Sequence, residues 1–292
     1  MKPNELFKNQ PLEFWANIKL LNQRLGYTNR KKKLNPNGGF MIPNVEQIKM
    51  VFKEEGLNYN KIVDSNNEFT PFGNLIVDYM QYRSDILTGF VHHNLMDKHE
   101  AKNLFYSLKK TCDPKILLPF NKQKGEKRDY AYLTGMVNIL ISQTKGDFEC
   151  DYDPKELTAI TYNGFPVRTL SRRVDGAFPS VINPFAIWEI KEYYYTTTFG
   201  SRVADGVYET QLDGWELQEA YQNTNKKVYH YLIIDDRFTW WTKGRSYLCR
   251  LIDTMHMGLV DEVIFGKEVL KRIPELVYEW KTQLEAYSRS NN

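Results

Sequence analysis

The sequence predicts an α/β chain of the α+β kind. A mostly helical N-terminal domain fills residues 1–120, and a mixed sheet flanked by helices fills residues 121–292. Three observations carry this. Apolar residues recur at helical spacing from Leu12 to Lys109. Beyond Tyr130 the pattern shifts to short β-rich runs separated by turn residues. The elements of that second part follow the order helix, three strands, helix, strand, helix, strand, helix.

Composition bounds the classes. A chain of 292 residues holds one large or two modest domains. Its 42% hydrophobic and 26% charged content is ordinary for a soluble globular protein. The net charge of +3 is weakly basic, so local basic runs say more than the total. Cys112, Cys150 and Cys249 lack metal-type spacing and point to a reduced, cytoplasmic protein without a disulfide framework. No apolar run reaches membrane-spanning length, and no apolar segment follows Met1-Lys2-Pro3-Asn4 as a signal peptide requires. The abundant Asn and Lys suggest an AT-rich bacterial source. No P-loop, zinc signature or methyltransferase motif is present.

In the N-terminal part, Phe14-Trp15, Ile18, Leu21 and Leu25 mark a helix that stops at Gly26. Arg30, Lys31, Lys32 and Lys33 then lead into a Pro/Gly loop, a run able to lie along a phosphate backbone. Asn44 and Gln47 have capping-box spacing ahead of the helix Val45–Glu55. A turn at Gly56 and a short second helix over 60–63 give helix-turn-helix spacing, followed by Thr70-Pro71-Phe72-Gly73 opening another helix. This order resembles winged-helix DNA-binding segments. His92, His93 and His99 have no completing Cys or carboxylate and carry no metal expectation. Asp97 caps a helix over 98–109, and the basic, Pro- and Gly-bearing stretch 111–128 reads as a linker.

In the second part, a helix over 130–142 precedes β-rich Leu157–Tyr162. Asn163-Gly164 makes a hairpin turn and Phe165–Leu170 returns. Asp175 lies in the run 171–177, and Ala186–Tyr194 is the next strand. A long helix over 202–222 follows, then a strand over 228–234, a helix over 247–257, a strand over 262–265 and a helix over 269–287.

The chemistry concentrates between Arg172 and Lys191. Residues i and i+2 of a strand share a face, so Glu189 and Lys191 point one way and Trp188 and Ile190 the other. Asp175, brought alongside by a hairpin, would complete an oxygen-rich site for a hard divalent cation with an ammonium beside it. An acid two residues before a Lys occurs five times, but only Glu189/Lys191 lies in an apolar strand-like run with an Asp-Gly shortly before it.

Asp175, Glu189 and Lys191 match, one by one, the motif of the PD-(D/E)XK nuclease superfamily, which this part of the chain resembles over about residues 128–265, with Val174 where the motif has Pro. The resemblance implies a restriction-endonuclease-like αβββαβ core and Mg2+ held by Asp175, Glu189 and the Ile190 carbonyl. Lys191 would position or activate the attacking water. It also implies a role for Gln211, one helix further on, with Trp215 four residues later where the family prefers Tyr. Arg172 and Arg173 are placed to hold the adjacent phosphate. The expected protein is a type II restriction endonuclease, a homodimer cutting double-stranded DNA in the bacterial cytoplasm. The alternatives are an antiphage or repair nuclease of lower specificity, and a winged-helix regulator with an inactive nuclease-like half.

Overall fold

A computed structural model describes residues 1–29, 39–195 and 201–290. Helices α1 (Leu12–Leu25), α2 (Val45–Glu54) and α3 (Pro71–Ile86) bury Phe14, Ile18, Val51, Ile76 and Tyr79 in one cluster. Their starts are those the sequence announces. Asn44 and Gln47 form a reciprocal capping box on α2. The Thr70 hydroxyl accepts the Gly73 N–H at the start of α3, with Pro71 in the first turn.

The short helix expected over 60–63 is a turn. Asn58 Oδ1 accepts the Asn60 N–H, and Asp64 Oδ1 accepts those of Asn66 and Glu68, so side chains hold the backbone in turns that compete with a helix. The helix-turn-helix spacing is therefore not realised. Among the described residues up to the end of α3, β-structure is limited to the isolated bridges Thr28–Phe40 and Val63–Phe69, which make no wing.

Helix α3 continues through a π-helical turn (Leu87–Val91) into the short α4 (His92–Asn94). Asp97 and Glu100 box the start of α5 (Lys98–Cys112). The sequence groups α5 with the N-terminal helices, yet its Ala101 and Phe105 are buried with α6 (Tyr132–Thr144) in the core under the sheet. Gly135 permits this approach, since a Cβ there would stand 2.5 Å from the Phe105 ring. The stretch expected as a linker is a closed loop: Phe120 bridges Tyr130, and the Ala131 N–H donates to the Pro119 carbonyl.

Five strands form one sheet, side by side in the order β1 (Asp151–Tyr152), β4 (Gly176–Phe178), β5 (Ala186–Glu192), β6 (Tyr229–Asp235) and β7 (Glu262–Phe265). The pairs β1–β4 and β4–β5 are antiparallel, and β5–β6 and β6–β7 are parallel. Helices α7 (Ser201–Thr224) and α8 (Arg245–His256) make the crossovers, and α9 (Val269–Ser290) follows. Trp188, Ile190, Tyr231 and Ile233 pack against α6 and α9 on one face. Leu232, Ile234 and Val263 pack against Val207 of α7 and Ile252 of α8 on the other. The result is a mixed sheet between two helical layers.

The hairpin at Asn163-Gly164 forms, with both residues at positive φ, but β2 (Ala159–Tyr162) and β3 (Phe165–Thr169) make a separate two-stranded sheet. The place expected for it is taken by β1, which at two residues is too short to show any alternation.

Candidate active site

The centre of the site is the seam between β4 and β5. Asp175 stands one residue ahead of β4, where its N–H donates to the Trp188 carbonyl at 3.1 Å and its carbonyl accepts the Asp153 N–H at 3.0 Å. Its carboxylate reaches across, and Oδ2 accepts the Ile190 N–H at 2.6 Å. Gly176 makes the seam possible, because a Cβ there would meet the Trp188 indole at 2.1 Å. In a strand the N–H and C=O of one residue point the same way, so the Ile190 carbonyl also faces the Asp175 side.

Glu189 and Lys191 share a face, opposite Trp188 and Ile190, as the strand period predicts. Glu189 is only 1% exposed, and its Oε2 lies 3.2 Å from Lys191 Nζ. The facing layer is α7. There Glu209 Oε2 lies 2.8 Å from Lys191 Nζ, and Gly206 leaves room for the lysine stem, whose Cδ and Cε a Cβ would meet at 3.4 Å.

Arg172 completes the cluster from the chain entering β4. Its Nη1 is 2.6 Å from Asp213 Oδ2 and 2.9 Å from Glu189 Oε1, and its Nη2 is 3.4 Å from Glu209. The guanidinium that the sequence assigns to a phosphate is thus held by three carboxylates. Glu216 anchors the segment just before it, accepting from the Ser171 N–H and from Arg168 Nη2.

Asp175, Glu189, Glu209 and Asp213 oppose two cations, an excess of two formal negative charges in a partly enclosed place. The electrostatics follow. Burial, helped by Glu189, pushes Asp175 up to about 7. Burial also pushes Asp213 up to about 7, against the opposing pull of Arg172 and with a smaller push from Glu189. Burial would lower the Lys191 ammonium, but Glu189 and the Glu209 hydrogen bond hold it above the usual lysine range. Glu209, despite its burial, is held below the usual carboxylate range by Lys191.

For a hard cation the donor set is chemically apt, being oxygen only. Buried Glu189 Oε1 and Asp213 Oδ1 accept no hydrogen bond. Among the described residues, however, no three His, Cys, Asp or Glu side chains converge as a ready-made metal group.

The remaining sequence-nominated residues lie apart from this cluster or beyond description. Gln211 donates to Thr254 Oγ1 of α8 at 2.9 Å, so its amide is taken up in helix packing, and Trp215 is half exposed. Arg173 is exposed. Arg30, Lys31, Lys32 and Lys33 lie outside the described residues. The sequence reading missed Glu209 and Asp213. Their signal was an acidic i, i+4, i+7 series with Glu216 on α7, a pattern that on most helices is only a solvated face.

Fold and cluster together define a three-layer α/β protein with an acidic–cationic centre on the middle strand of its sheet. The chain belongs to the family described as Domain of unknown function (DUF7687), whose profile matches residues 96–280. Residues 1–90 match a second profile, Domain of unknown function (DUF7690). No curated protein and no solved structure matches the chain.

Proposed function

We propose that the protein is a magnesium-dependent endonuclease of the PD-(D/E)XK type that hydrolyses phosphodiester bonds of double-stranded DNA, in its fullest form a homodimeric type II restriction endonuclease. One observation carries the reading. The Asp175 carboxylate is tied to the Ile190 N–H at 2.6 Å, which brings it beside the Glu189–Lys191 couple from which the motif was read. The order α6, β1, β4, β5, α7, β6 supports it, because it follows the αβββαβ succession.

Asp175, Glu189 and the Ile190 carbonyl would hold the ion. When bound, magnesium supplies charge neutralisation and a lower pKa for its water. Lys191, kept protonated by Glu189 and Glu209, serves to stabilise developing negative charge rather than to take a proton. Arg172 serves as the counter-ion of Glu189 and Asp213.

That same arginine favours a second reading. A guanidinium lodged on Glu189, with no converged metal group among the described residues, suits a DNA-binding protein whose nuclease-like half does not cut. Digestion of a sequenced plasmid with magnesium, followed by end mapping, separates the two. Discrete fragments support the restriction endonuclease, and a smear supports a nuclease of lower specificity. An uncut plasmid at any magnesium concentration removes both nuclease forms.

A further inference from the structure

Positive charge is not spread evenly over this chain. Residues 98–130 hold nine Lys/Arg against four Asp/Glu, a local charge of +5 in a protein of net +3, so the rest of the chain carries −2. Two of these cations are neutralised, Lys102 by Asp129 and Lys115 by Asp113. Among the described residues no carboxylate pairs with Lys98, Lys109, Lys110, Lys122, Lys124 or Arg128.

These cations belong to one connected surface. Lys98 Nζ stands 4.8 Å over the Tyr195 ring, and the Tyr195 hydroxyl donates to the Tyr130 carbonyl. Lys109 stands 4.3 Å over the Tyr130 ring. Phe120 stacks on Tyr130 with ring centroids 4.6 Å apart, and Arg128 lies 4.9 Å over Phe120. Phe120 is 48% exposed; Lys110, next to Lys109 on α5, and Lys122 and Lys124, two and four residues beyond Phe120 in the loop, are exposed as well.

The surface also abuts the candidate site. Glu192, the residue after Lys191, accepts the Tyr132 and Thr134 N–H groups at the start of α6, two residues past Tyr130. One strand end therefore carries the site lysine on one face and anchors the base of the cationic surface on the other.

We infer that the surface formed by α5 and the loop 115–130 is a track for the phosphate backbone of a nucleic acid, leading to the Asp175–Glu189–Lys191 site. The inference rests on the nuclease reading for its choice of polyanion. The dimensions suit a duplex. A 15-residue helix such as α5 is about 22 Å long, the rise of about six base pairs. Rings whose faces are already covered by cations hold those cations in place; they are not free platforms for bases, which fits backbone contact rather than base stacking.

The test is fluorescence anisotropy of a labelled duplex in EDTA across a salt series, using wild type and the variant with Lys109, Lys110, Lys122 and Lys124 all changed to Gln. An unaltered circular dichroism spectrum and melting point establish that the variant is folded. Each lost phosphate contact should lower the slope of log K against log salt by about 0.9, so loss of four should lower the slope by about 3.6 and affinity by at least tenfold. An unchanged affinity and slope overturn the track. So does wild-type binding to phosphatidylserine vesicles that exceeds duplex binding and depends on these lysines. Wild-type plasmid cleavage is scored in parallel. Lysine-dependent duplex binding without cleavage supports the track and removes the nuclease reading, whereas cleavage with lysine-independent binding does the reverse.

Discussion

Arg172 Nη1 lies 2.6 Å from Asp213 Oδ2 and joins the chain entering β4 to α7. The same guanidinium contacts Glu189, so one side chain compensates two carboxylates that are 0% and 1% exposed. Among the described residues, Arg172→Ala leaves Asp213 buried and unpaired and Glu189 with Lys191 as its only cation, a loss of about 3–5 kcal/mol. A cation held by those oxygens would restore part of it. Melting measured with and without magnesium should show a larger magnesium-dependent gain for Arg172→Ala than for wild type. Equal gains would remove Glu189 and Asp213 from ion binding.

Asp175→Asn keeps an oxygen to accept the Ile190 N–H but removes the charge. Glu189→Gln does the same on β5. Both should fold, bind DNA with near wild-type affinity and lose plasmid cleavage. A fully active Glu189→Gln enzyme contradicts the assigned site.

Lys191→Met retains the stem against Gly206 and deletes the ammonium shared by Glu189 and Glu209. Loss of one preorganised stabilising group costs about 10²–10³ in the chemical step. Single-turnover kinetics should show that loss with little change in DNA affinity. A drop confined to affinity would make Lys191 a binding residue.

Much of this was legible beforehand, and the limits are physical. Local signals were reliable. The Asn44/Gln47 box, the Asn163-Gly164 turn and the β5 run with its alternating faces are fixed by neighbours in sequence. Asp175 is legible as a candidate because an Asp-Gly shortly before such a strand is itself a local signal. What failed depends on partners far along the chain. The β2–β3 hairpin has the propensity of a sheet member, and only pairing geometry excludes it. Gln211 continues the Val203–Val207 row of α7, whereas Arg172 and Lys191 meet the Glu209–Asp213 row. No pattern within α7 tells which of its two rows meets the cations of another element.

Asp235, at the end of β6, accepts the Met96 and Asp236 N–H groups and the Tyr194 hydroxyl. Burial, against those hydrogen bonds, pushes it up to about 8. Its unfolded value is about 3.9, so the folded state favours the protonated acid. The resulting stability is complete below about pH 4 and is lost as pH rises towards 8, at up to about 1.4 kcal/mol per pH unit. Asp235→Asn abolishes this dependence. Wild type should therefore lose stability relative to the variant between pH 5 and pH 8 by urea denaturation, and a constant difference would contradict a protonated Asp235.

Arg83 and Asp253 link the segments that match two separate families. Arg83 Nη1 donates to both Asp253 oxygens, at 2.8 and 2.9 Å, its Nη2 donates to Asn22, and the Tyr79 hydroxyl adds a bond to Asp253. Arg83 is 1% exposed, so Asp253→Ala strands a guanidinium in the interior at a cost of about 3–5 kcal/mol. Replacing the pair by Arg83→Met with Asp253→Leu removes the charge along with its partner and should recover most of that loss. The urea midpoints of the two variants decide it. If the double variant is no more stable than Asp253→Ala, the bonds to Asn22 and Tyr79, rather than the ion pair, join the N-terminal helices to α8.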